Sequence, residues 1–171
     1  FKPNLNWNGD TSFTYNSVDD QGLVSAAPAT GTIKVDSVND APTAAAVNAT
    51  TAEDTKVAIT LTGADVDGKV SSFKLTDLPA HGTFTDAAGN TLSTSSVILA
   101  SGNTATIYYT PSANWNSGTN NATPDTFKYQ SIDNDNAPSV VANGSITVTS
   151  VNDAPLVDAY LSGRYADVLK L

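Results

Sequence analysis

"GTIKVDSVNDAP" occupies residues 31–42, and "GSITVTSVNDAP" occupies residues 144–155. The last six letters are identical at an offset of 113 (150 minus 37), and the stretch before them alternates apolar with polar residues in both copies. Such alternation marks a strand with one face buried and the other wet. Reading backwards, "SFTYNSVDD" from Ser12 meets "TFKYQSIDN" from Thr126, and "FKPNLNWN" from Phe1 meets "YTPSANWN" from Tyr109. The offsets there are 114 (127 minus 13) and 108 (115 minus 7), so one copy carries an extra loop of the "GTNNATP" kind. Self-similarity over about forty residues is the signature of a tandem array. Residues 1–42 hold only the C-terminal part of a unit, its last two strands and linker, and residues 43–155 hold a whole one.

The whole unit shows further period-2 stretches: Val57, Ile59 and Leu61; Phe73 and Leu75; Ile107 and Tyr109; Phe127 and Tyr129; Ile146 and Val148. An edge strand near Ala44 to Ala49 and a short pair, "GTFTD" and "NTLS", bring the count to about seven, separated by Gly, Asn, Asp and Pro. An all-β sandwich is predicted. The stripe residues are core positions, because a half-solvated sheet requires alternate burial. Trp7 and Trp115, each within Asn-Trp-Asn, are expected to cap that core beneath a loop.

Composition narrows the function. The 171 residues include no Cys, no Met and a single His, His81. Disulfide scaffolds, thiolate metal sites and most acid–base catalysis therefore have little material. The net charge of −9 repels phosphate backbones and anionic lipid, so no nucleic-acid partner is expected. No apolar run is long enough to span a membrane, and no basic-then-apolar leader opens the chain. Because the chain does not begin with Met, it reads as an excerpt or a processed piece. Paired acids such as Asp65 and Asp67 sit in turns rather than in an apolar pocket that would raise a carboxyl pKa, and His81 has no Ser or Cys motif beside it. No catalytic residue and no enzymatic activity are expected.

With the seven strands folded as a sandwich, the acids fall at two ends. Asn39 and Asp40 of the first linker, Asp65 and Asp67 of "ADVDG", and Asp133 and Asp135 of "SIDNDN" meet at the leading end. Glu53 and Asp54 of "AEDT" meet Asn152 and Asp153 of the second linker at the trailing end. Carboxylates some 5 Å apart repel by about 3 kcal/mol at an effective dielectric near 20. Hard oxygen donors in this number, with no His or Cys among them, suit Ca²⁺ better than Mg²⁺. The plainer alternative is that Asp and Asn occupy turns because they bond their own backbone. It accounts for each cluster separately but not for their convergence.

These motifs together, "VNDAP", "EDT", "ADVDG" and the "YTPSANWN" to "DTFKYQSID" block, resemble the bacterial cadherin-like repeats of large surface and biofilm adhesins. The resemblance covers residues 1–155. It implies an immunoglobulin/cadherin-like Greek-key β-sandwich in an extracellular array on a bacterial surface, or secreted, with Ca²⁺ stiffening the junctions. It also implies that Asn39, Asp40, Asp65 and Asp67 share the first junction with Asp133 or Asp135, and that Glu53 and Asp54 share the second with Asn152 and Asp153. The expected partners are adjacent repeats, neighbouring copies and a cell-surface or matrix ligand. The alternative function is a glycan- or protein-binding module gripping through its loops, among them the insertion "NSGTNNATPD".

Two segments fit the repeat incompletely. Residues 1–38 hold only two strands and a loop, a unit that is marginal in water. Either a bordering domain or a neighbouring chain adding strands to its edge is expected to complete it. The tail, residues 156–171, spaces Leu161, Tyr165, Val168 and Leu169 as one helical face despite Gly163, and reads equally as an appended tail or the start of another repeat.

Overall fold

The structure, a computed structural model, describes residues 1–118 and 123–154. The helical face expected in residues 156–171 lies outside them. No described residue lies in a helix. The strands are β1 (Gly9–Tyr15), β2 (Ala29–Val35), β3 (Thr43–Ala44), β4 (Val47–Ala52), β5 (Val57–Ala64), β6 (Val70–Asp77), β7 (Gly82–Thr85), β8 (Ile98–Leu99), β9 (Thr104–Pro111), β10 (Asp125–Asp133) and β11 (Ala142–Thr149). One sheet has the order β4-β11-β10-β6-β8 and the other β3-β5-β9-β7, while β1 and β2 form a two-stranded sheet of their own.

The alternating stripes become the inner faces of the two larger sheets. Ile59 and Leu61, Phe73 and Leu75, Ile107 and Tyr109, Phe127 and Tyr129, and Ile146 and Val148 are all buried, together with Phe84 of β7. Each contributes on the order of 1.5–3 kcal/mol by leaving water. Aromatic rings join the sheets: Phe84 stands edge-on to Phe127 of the opposite sheet at a centroid separation of 4.8 Å, and within its own sheet edge-on to its partner Tyr109 at 5.8 Å. Trp115 packs against this core and stacks on His81 at 4.5 Å, as its capping role requires.

Two polar devices fasten the sheets where apolar contact ends. The buried Asp125 carboxylate accepts the N–H groups of Ala80 and His81, both at 2.9 Å, and the Tyr109 hydroxyl at 2.8 Å. It thus ties β10 to β9 and to the loop ahead of β7. Burial and the adjoining carboxylate together push the Tyr109 hydroxyl well above its ordinary pKa. The Tyr129 hydroxyl, also buried, donates to the carbonyl of Ala45.

That second bond sits where the leading edge departs from the expected single strand. β3 pairs antiparallel with β5, and after Ala45 the chain crosses over so that β4 pairs parallel with β11. The run of small residues permits the crossing, and Tyr129 takes up a carbonyl exposed by it. "NTLS" also differs from expectation: Thr91 makes only an isolated bridge to Thr85, because Asp86 closes a tight turn on the N–H groups of Ala88 and Asn90. β8, unforeseen, is two residues long, with Ile98 buried and Leu99 exposed.

Asp125→Ala should lower unfolding stability by about 3 kcal/mol, since it strands the Ala80 and His81 N–H groups in a dry site and leaves the Tyr109 hydroxyl with only the His81 carbonyl. Tyr109→Phe, which removes only one donor, should cost about 1 kcal/mol. Urea unfolding of the three proteins checks the order, and equal midpoints for Asp125→Ala and the parent would refute the staple.

Candidate functional site

The first linker runs over the leading end of the sandwich and is clamped to two of its turns. The Asn39 side-chain amide donates to Asp133 Oδ2 at 2.8 Å, and the backbone N–H of Asp40 donates to Asp67 Oδ2 at 3.1 Å. Pro42, lacking an N–H, is buried as the chain enters β3. Asp133 is only 1% exposed, and its other oxygen accepts the N–H groups of Asp135 and Ala137, each at 2.8 Å, which closes the turn after β10. The Asn39 amide is the main cause holding this carboxyl below its ordinary pKa of 3.8; burial opposes it, and the turn N–H groups add to it.

The two turns are also joined to each other. Asn134 accepts the Lys69 N–H at 2.9 Å and donates to Asp135 at 2.8 Å. Gly68 makes this approach feasible: a Cβ there would lie 2.5 Å from Asn134 Oδ1 and 2.9 Å from Asp65 Oδ2. Asp65 Oδ1 accepts the Asp67 N–H at 3.4 Å, whereas Asp65 Oδ2 is buried without a hydrogen-bond partner.

Sequence reasoning thus named residues that do gather at one end: Asn39 with Asp133, Asp40 with Asp67, Asp67 with Asp65, and Asp135 on the turn that Asp133 closes. They gather as pairs separated by amide donors. Among the described residues no three acidic or His side chains stand close enough to hold one ion. Asn134, which knits the two turns, was not singled out, although it lies inside the quoted "SIDNDN".

At the trailing end Glu53 is only 5% exposed. Its carboxylate accepts the Val151 N–H and, at 3.3 Å, the Asn116 amide. The Val151 N–H is the chief cause of a carboxyl pKa held below the ordinary 4.5; burial opposes it, and the Asn116 and Ser150 side chains assist. Asp54, at a left-handed φ of 59°, accepts the Asn114 N–H at 3.1 Å. The Asn152 amide turns to the carbonyl of Asp153, and among the described residues no hydrogen bond joins either of them to Glu53 or Asp54. The two acids therefore fix the exit of β11 and the loop after β9.

No family model matches the chain, and no curated protein matches it. Solved structures similar to it include fibronectin(III)-like modules of CbhA from Clostridium thermocellum, at 16% identity and a TM-score of 0.39, covering 88% of this chain and 69% of that one. The sialic acid binding region of a Streptococcus sanguinis adhesin is similar at 16% identity and a TM-score of 0.44, covering 80% of this chain and 37% of that one. Domains 1–6 of the surface layer protein SbsC follow at 11% identity and a TM-score of 0.43, with 84% and 20% covered. The chain spans less than two fifths of the latter two.

Both depressed carboxyls stabilise the fold above their ordinary pKa values, and that contribution is lost as pH falls through the lower native values. In a chelator, stability should hold at neutral pH and decline below about pH 4. Asn39→Ala, which removes the main cause at Asp133, should make the acid decline shallower in a series of thermal melts. An unchanged acid limb would show that the clamp is not formed in solution.

Proposed function

We propose that the chain is a spacer of an extracellular repeat array on a bacterial surface, whose joints are stiffened by Ca²⁺. The single observation that carries the reading is the leading end. A linker is clamped to two turns of the following sandwich beside a buried carboxylate oxygen, Asp65 Oδ2, that lacks a donor. A buried unpaired carboxylate oxygen is costly, and a cation removes that cost. The ion would sit at Asp65 Oδ2 with Asp67 beside it; Asn39, Asp40, Asp133 and Asp135, which stand apart as pairs, would have to be drawn in to complete the six to eight hard oxygen donors that Ca²⁺ prefers. The ion would supply positive charge and a shared anchor between linker and turns. The protein's own part is to hold the turns together through Asn134 and to leave room at Gly68. The trailing end fits the ion less well, since among the described residues no buried carboxylate oxygen there is left without a donor: Glu53 and Asp54 already accept N–H groups.

A second reading, ligand binding, has one feature in its favour. An open groove of about 860 Å³ lies between the N-terminal loop and the linker, lined among others by Trp7, Asp40 and Asp67. Trp7 there is partly exposed, unlike its counterpart Trp115, which packs on the core. A glycan array that retains the chain through Trp7 would favour this reading over the spacer.

Millimolar Ca²⁺ should raise the melting temperature. An ion that binds only the folded state adds about 3 kcal/mol when its free concentration is a hundred times the dissociation constant. The double substitution Asp65→Ala with Asp67→Ala should remove the response. Coincident melting curves of the unsubstituted chain with and without Ca²⁺ would end this reading.

A further inference from the structure

The spacer reading makes no use of residues 1–35, whose surface is unlike the rest. β1 and β2 pair in the register Phe13 with Gly31, Tyr15 with Ala29 and Thr11 with Ile33. β10 and β11 pair Phe127 with Gly144, Tyr129 with Ala142 and Asp125 with Ile146. From Thr11 to Tyr15, each residue therefore has the partner that its aligned residue has in β10. The finer contacts repeat as well. Phe13 lies over Gly31 and Phe127 over Gly144, so closely that a Cβ on either glycine would come within 2.5 Å of the ring. The ring centroids of Phe13 and Tyr15 are 6.0 Å apart, and those of Phe127 and Tyr129 are 6.1 Å apart.

What differs is cover. Phe127 and Tyr129 are 1% and 0% exposed, because β4 and β6 flank the ladder and the second sheet lies over it. Phe13 and Tyr15, on the corresponding face, are 51% and 53% exposed, with Val18, Leu23 and Val24 also in water. Among the described residues β1 and β2 have no further strand beside them, so both outer edges keep unpaired backbone groups. The polar staple has been altered as a pair. By the repeat alignment Tyr109 corresponds to Phe1 and Asp125 to Thr11, so neither the hydroxyl nor the carboxylate is left to be stranded.

We propose that the β1–β2 face is a receiving surface for a strand set equivalent to β3–β9, carried by a further segment of this same repeat type and not by a second copy of this chain, and that the two together close a second sandwich. The occupant is defined by the template in this chain. One strand runs parallel to β2 as β4 does to β11, one runs antiparallel to β1 as β6 does to β10, and a second sheet presents aliphatic stripes like Ile59 with Leu61 to the rings of Phe13 and Tyr15. The proposal rests on the internal repeat and not on Ca²⁺, so its test runs in a chelator.

The test adds residues 43–108 directly ahead of Phe1, which reproduces the join between Tyr108 and Tyr109. Amide hydrogen exchange of β1 and β2 is read in the unmodified chain and in the extended one. Protection should rise on the order of a hundredfold in the extension, with loss of dye binding to exposed apolar surface. A second extension carrying Phe1→Tyr and Thr11→Asp restores the staple, so that protection in either extension supports the proposal. Fast exchange of β1 and β2 in both extensions would overturn it. So would β1–β2 amides already protected in an unmodified chain that sediments as a dimer, which would assign the face to a second copy.

Discussion

The ring of Phe127 sets the geometry on which the rest depends. It lies across Gly144 on the neighbouring strand and meets the edge of Phe84 from the opposite sheet, so one side chain fixes both the register within a sheet and the contact between sheets. Slipping β10 by one residue would turn Phe127 and Tyr129 to solvent and present Lys128 and Gln130 to the core. With the register fixed, β10 ends at Asp133, and Asp133 is thereby delivered to the linker. The junction is a consequence of core packing a few residues away along the strands, at Tyr129 before Asp133 and at Leu61 before Asp65.

Much of this was legible from letters. β5, β6, β9, β10 and β11 follow directly from alternation, because burial on one face is a property of each strand taken singly. The leading edge was not legible: residues 43–52 are mostly Ala and Thr, which carry no periodic signal strong enough to mark a change of sheet. β8 escaped for a related reason, since a two-residue strand offers one buried side chain and no period.

At the acidic ends, the sequence points to turns that do meet the first linker but overstates the repulsion among their carboxylates. A count of carboxylates implies mutual repulsion. It leaves out the N–H groups that Asn side chains and turn backbones aim at those same carboxylates, as at Asp133 and Glu53. A single sequence shows which residues reach a turn. The direction of each turn amide depends on φ and ψ, which composition does not reveal. Asp65 Oδ2 is the position where that local supply of donors ends.

The pairing of β4 with β11 has a mechanical meaning. One follows the first linker after the two residues of β3, the other precedes the second, and they lie side by side in parallel over six residue pairs, from Val47 with Gly144 to Ala52 with Thr149. Tension applied through the two linkers pulls these strands in opposite directions along their own length. The ladder is then loaded in shear, its bonds sharing the force instead of parting one after another as in a peeled hairpin. Once the two pairs that hold β3 to β5 part, such a unit would resist stretching at the ladder between β4 and β11.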